Sequence, residues 1–155
     1  MGCAPQRVMA DASWSDTGVD ISLMATLHYA DGRRAQMTCA MDAANHRRAT
    51  IMGSQGTVET EYLNHTSLQP NHLWGYLQSQ MRVRRGTANS IPFENVTSAT
   101  GSGFLFAAEA FANVVANNDF AAIDRAASAS LNIAATLEAI ACSARMGQAV
   151  EVMGA

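Results

Sequence analysis

The feature that most constrains this chain is a strict two-residue alternation. Between residues 20 and 29, Ile21, Leu23, Ala25, Leu27 and Tyr29 fall on one face; Ser22, Met24, Thr26 and His28 fall on the other. A strand with one apolar face belongs to a sheet covered on one side only. Asp31-Gly32 follows as a two-residue hairpin signal. After it Ala35, Met37, Cys39 and Met41 alternate with Arg34, Gln36, Thr38 and Ala40. A strand is expected at residues 6–14, closed by a turn at Ser15-Asp16-Thr17-Gly18. Further strands at 46–52 and 57–63 flank a Gly53-Ser54-Gln55-Gly56 turn, so the first half reads as an antiparallel meander. Residues 64–75 show no clear period. Short strands at 81–85 and 91–94 are expected to be edge-like, given the arginines and Pro92.

The composition then changes. Residues 51–87 contain no alanine, whereas alanine dominates from Phe104 onward. Phe104, Ala108, Phe111 and Val115 recur at helical spacing behind Ser102, a suitable N-cap. After a break at Asn117-Asn118-Asp119, a longer helix carries Ala126, Ser130, Ile133, Leu137, Ile140 and Ala144 on one face. Arg145 in its last turn and Gly147 just beyond it are ordinary stop signals. Residues 150–152 can add a closing strand. Strands followed by a helix pair give an α+β class. An open, mainly antiparallel sheet is covered on one face by the C-terminal helices, and its other face is free.

The remaining composition mainly excludes. A length of 155 residues is a prior for one domain with a core of its own. A net charge of -3 gives no electrostatic footprint for nucleic acid or an anionic membrane surface. No apolar run approaches the roughly 20 residues of a bilayer span, so no membrane partner is expected. All ten basic residues are arginine, which rules out Schiff-base chemistry and a phosphate-loop lysine on this chain. Cys3, Cys39 and Cys142 lack ligand or disulfide spacing; Cys39 and Cys142 read as buried, inert thiols. His28, His46, His65 and His72 lack metal-ligand spacing, so no metal is expected. A cytoplasmic location is the expectation.

One helix pair cannot cover both faces of a sheet. The uncovered face carries Ser22, Met24, Thr26, Gln36, Thr38 and Ala40, polar but nearly uncharged, as in a face that meets protein. A two-fold sheet-on-sheet homodimer is the simplest such arrangement; an ordinary solvated Ser/Thr face is the alternative. His28 on that face, together with His72, Trp74 and Tyr76 in the unpatterned segment, are candidates for substrate or interface contacts. An aromatic plug under a long loop would explain the last three equally well. The His46-Arg47-Arg48 cluster suits either an anion or a solvated strand edge. Gly101-Ser102-Gly103 opens a helix but lacks the preceding buried strand and the third glycine of a dinucleotide loop.

Several stretches resemble the C-terminal domain of the Gfo/Idh/MocA oxidoreductases, the glucose-fructose oxidoreductase and inositol dehydrogenase family. They are Pro5-Gln6-Arg7-Val8-Met9-Ala10, Thr17-Gly18-Val19-Asp20, Tyr29-Ala30-Asp31-Gly32-Arg33 and the run from Ile51 to Glu59. Phe104 to Asn113 and Ala141-Cys142-Ser143-Ala144-Arg145-Met146-Gly147 complete the set. The resemblance implies a parent enzyme with an N-terminal Rossmann domain for NAD or NADP, and an α+β domain that shapes the substrate site and mediates oligomerisation. It implies hydride transfer to or from a sugar, polyol or related hydroxyl substrate. The Rossmann glycine loop, the Glu-Lys-Pro element and the Asp/His-bearing helix of the family have no counterpart in these residues. No catalytic residue therefore carries over, and the chain alone is expected to bind no cofactor and to be catalytically silent. A stand-alone small-ligand-binding or scaffold module is the rival reading.

Overall fold

The structure, a computed structural model, describes residues 3–44, 46–61, 67–68, 74–75, 80–97 and 101–153. It is α+β, and its chain divides into two compact units: residues 1–44 with 119–155, and residues 45–118.

The first unit is built on the alternating segment. β1 (Arg7–Trp14), β2 (Asp20–His28), β3 (Arg34–Ala40) and the short β10 (Val150–Glu151) form an antiparallel sheet in the order β10-β1-β2-β3. Both hairpins have the same geometry. Gly18 N–H donates to the Ser15 carbonyl while Ser15 N–H reaches Val19, and Gly32 N–H donates to Tyr29 while Tyr29 N–H reaches Arg33. Each is a three-residue loop closed by a glycine at positive φ, +80° at Gly18 and +85° at Gly32. The Asp31-Gly32 signal therefore marks a bulged three-residue turn, not the two-residue turn expected. Asp31 accepts from the Arg33 backbone and side chain, which holds its carboxyl below the usual carboxylate value.

One helix, α2 (Phe120–Met146), covers this sheet. The Asp119 side chain caps it by accepting from Ala122 N–H at 2.9 Å, and Gly147 ends it at φ +65°. Val8 and Ala10 of β1, Ala25 and Leu27 of β2, and Ala139 and Ile140 of α2 make the core. These are the inward residues of the alternation. By length and composition α2 is also long and apolar enough to cross a bilayer, and its C-terminal third packs on the sheet. Ser143, fully buried, accepts from Ala10 N–H at 2.9 Å and donates to the Gln148 carbonyl at 2.6 Å. β10 pairs with β1 only at Arg7 and Val8. The hydroxyl thus takes over the β1 edge where that strand stops.

α2 lies against β1 and β10 and leaves β3 bare. Cys39, inward by pattern, is consequently exposed, and Cys142 is only partly buried. The expectation of a buried thiol fails at Cys39 for that reason, and at Cys142 it is met only in part.

The second unit holds β4 (Arg48–Gly53), β5 (Gly56–Glu61), β8 (Gln80–Arg85) and β9 (Glu94–Thr97) in the antiparallel order β4-β5-β8-β9. The short β6 (Ser67–Leu68) and β7 (Trp74–Gly75) pair with each other. The expected meander is therefore divided between two sheets. β8 is an interior strand, not an edge. Its arginines are accommodated because Arg82 pairs with Glu59 and both Arg82 and Arg84 lie over the Phe93 ring, at 5.1 and 4.3 Å. Pro92 stays outside β9, as a residue without an N–H donor should. Gly56 needs its missing side chain: at φ +147°, a Cβ there would overlap the Arg84 carbonyl oxygen. α1 (Gly103–Ala116) also belongs to this unit, capped by Ser102 through Leu105 N–H at 3.3 Å.

Candidate functional site

Alternation places the candidate residues of the first sheet in rows across the strands. Pairing aligns Arg7, His28 and Arg34; then Met9, Thr26 and Gln36; then Asp11, Met24 and Thr38; then Ser13, Ser22 and Ala40. All six expected face residues share the side opposite α2. The middle rows line a shallow trough of about 470 Å³ with Met9, Asp11, Met24, Thr26, Gln36 and Thr38 on its walls. Met24 is 62% exposed and Met9 43% exposed. Ser13 and Ser22 hydroxyls share a hydrogen bond of 2.7 Å.

Met9 and Asp11 were missed in the sequence reading. Val8 and Ala10 alternating with Arg7, Met9 and Asp11 was the available signal. Including β1 also corrects the impression of a nearly uncharged face: the centre is neutral, one end is basic and Asp11 is acidic. His28 sits half-buried between Arg7 and Arg34. His72 and Tyr76, and the side chain of Trp74, lie outside the described residues. His46 is exposed.

The α2 side of the same sheet holds a larger groove of about 720 Å³. It exists because β3 has no helix above it. Leu27, Met37, Ile133, Leu137 and Ile140 supply apolar walls. Ser128, Asn132 and Thr136, spaced one helical turn apart on α2, add a line of neutral polar groups. The Thr136 hydroxyl donates to the Asn132 carbonyl at 2.7 Å. Tyr29, Asp124 and Arg125 also line the groove, so an apolar ring or chain carrying a few hydrogen-bonding groups would suit it.

Among the described residues no three His, Cys, Asp or Glu side chains gather as a metal site. Nor do the described residues fit a nicotinamide dinucleotide. Among the described residues every strand pairing is antiparallel, and a Cβ at Gly101 would run into the Phe106 ring.

Comparison with known proteins agrees with this picture. Residues 1–59 match the model of the GFO/IDH/MocA C-terminal domain. Trans-1,2-dihydrobenzene-1,2-diol dehydrogenase of Danio rerio is 32% identical over 73 residues, which are 47% of this chain and 19% of that protein. The crystal structure of a "putative oxidoreductase" from Klebsiella pneumoniae superposes with a TM-score of 0.59 at 15% identity, over 98% of this chain and 44% of that one. That likeness concerns the fold. The chain spans less than half the length of either protein. Residues 1–59 thus match the Gfo/Idh/MocA C-terminal domain, in support of the resemblance seen in short stretches along the chain.

Proposed function

We propose that these residues form the substrate-shaping and dimerising part of an NAD(P)-dependent oxidoreductase acting on a hydroxyl-bearing ring, a sugar, polyol or vicinal diol. The observation that carries the reading is a sheet with two uncovered, chemically distinct surfaces in a domain of this family. The groove beside α2 is the wall offered to substrate. Its apolar sides and the Asn132 amide suit a ring carrying few hydroxyls, and the diol dehydrogenase among its relatives supports the same choice. The opposite face, with Ser22, Met24, Thr26, Gln36, Thr38 and Ala40, is where a second copy packs. In this reading the nicotinamide cofactor is held by other residues of the parent enzyme, because those described here do not fit it.

The native polypeptide containing these residues should oxidise trans-cyclohexane-1,2-diol with NAD or NADP as acceptor, followed by the absorbance of reduced nicotinamide. The isolated chain should bind neither cofactor in a fluorescence titration. Micromolar NADH binding by the isolated chain would overturn the division of labour. A Thr38→Glu change should give monomers in sedimentation. The rival reading, a ligand-binding module without redox chemistry, is favoured by the size of the groove alone; it is the outcome if the native polypeptide binds the diol without oxidising it.

A further inference from the structure

The open face is electrically polarised, and its polarity selects how two copies can meet. Arg7, His28 and Arg34 lie side by side on β1, β2 and β3, forming one row at one end. Arg7 and Arg34 enter no ion pair among the described residues, and Glu151, opposite Arg7 on β10, makes none with it. Two rows further along β1, four residues or about 14 Å away, stands Asp11 beside Met24 and Thr38. Between them the row of Met9, Thr26 and Gln36 is uncharged.

Two packed sheets approach to about 10 Å, close to the screening length of physiological salt, so each charge senses its counterpart above it more than its own far end. Two two-fold arrangements keep the strands aligned. With the axis along β2, strand directions are parallel in the two layers and β1 covers the partner's β3. Arg7 then meets a second arginine, the position of Arg34, twice per dimer. With the axis across the strands, along the row of Met9, Thr26 and Gln36, β1 covers β1 in the opposite direction. Each Arg7 then faces the partner's Asp11, His28 faces the partner's Met24, and the neutral row packs on itself.

We infer that this face joins two copies of the chain with strands antiparallel across a two-fold axis along Met9, Thr26 and Gln36, held in that orientation by reciprocal Arg7–Asp11 pairs. The inference rests on the dimer reading given above and adds its geometry. The face, three strands by four rows, projects about 400 Å² per copy, or about 800 Å² for the pair, which is smaller than a standard specific interface. In so small an interface, charge placement decides the orientation.

The test is sedimentation of the full chain in low salt, with circular dichroism to check folding. Arg7→Glu alone and Asp11→Arg alone should each raise the dimer dissociation constant about tenfold or more, because each creates two like-charge contacts. An equimolar mixture of the two variants should form a heterodimer near wild-type affinity, since glutamate 7 then faces arginine 11 and the native pair is kept at the other site. Single variants that dimerise like the wild type, or a mixture that stays monomeric, would overturn the orientation. Met24→Arg should dissociate any face-to-face dimer. If it does so while the charge variants have no effect, the dimer reading survives and the Arg7–Asp11 geometry falls. A wild-type chain that is monomeric, or a dimer indifferent to Met24→Arg, removes both.

Discussion

Replacing Ser143 by alanine should be among the costliest single-atom deletions in the first unit. The side chain is fully buried, and its oxygen joins two groups from distant parts of the chain: the Ala10 N–H at 2.9 Å and the Gln148 carbonyl at 2.6 Å. Alanine leaves both without a partner. The void left by one oxygen atom is too small to hold a water in its place. An unsatisfied buried donor costs about 1–3 kcal/mol, and the strand-end carbonyl is less exacting, so a loss of about 2 kcal/mol is expected. In a chain of this size that corresponds to a fall of about 4–8 °C in Tm. Urea denaturation followed by circular dichroism measures the first quantity. Amide exchange at Ala10 measures the local effect, expected to be about 30-fold faster. Ser130→Ala is the control: its hydroxyl bonds the Ala126 carbonyl on the exposed side of α2, and its loss should change stability by less than about 0.5 kcal/mol. If Ser143→Ala were as mild as that control, with Ala10 still protected, the hydroxyl would not be what holds α2 to the edge of β1.

Other substitutions probe the remaining features. Gly56→Ala should destabilise the second unit by about 3 kcal/mol or more, seen as a lower denaturation midpoint, because the added Cβ meets the Arg84 carbonyl and φ is +147°. Gly32→Ala, at φ +85° with open space around it, should cost only about 1 kcal/mol in the same assay. Val8→Ala, at a fully buried site between β2 and α2, should cost about 2–3 kcal/mol, and a smaller value would mean that the core relaxes around the cavity.

What could be read from the sequence was local. The alternation around Ala25 and Leu27 assigned both faces of β2 because the side-chain period of a strand is fixed by the backbone. Ser102 and Gly147 marked helix ends because capping satisfies groups within one turn. The misses came from partners distant in sequence. Arg82 and Arg84 looked like residues of an edge, yet Glu59 on β5 and Phe93 just before β9 receive them inside a sheet. Cys39 follows the inward pattern perfectly and is still exposed, since nothing in a strand's own sequence tells how far the covering helix extends. The candidate site was half legible for the same reason. Six residues of the open face were identified from β2 and β3, while Met9 and Asp11 appear only once β1 is paired beside them.

The discontinuity of the first unit has a consequence for how the chain is made. Three strands of its sheet come from residues 3–44, and its covering helix and the short β10 come from residues 119–153, with the whole second unit encoded between them. Strands β1 to β3 therefore emerge from the ribosome with Val8, Ala10, Ala25 and Leu27 bare, and stay so until Ala139 and Ile140 have been synthesised. At ordinary elongation rates of roughly 5–20 residues per second that interval lasts on the order of 10 seconds, ample time for strands to pair wrongly. The nascent chain is consequently the most aggregation-prone form of this protein, and chaperone demand should follow the length of that delay more closely than the stability of the finished fold.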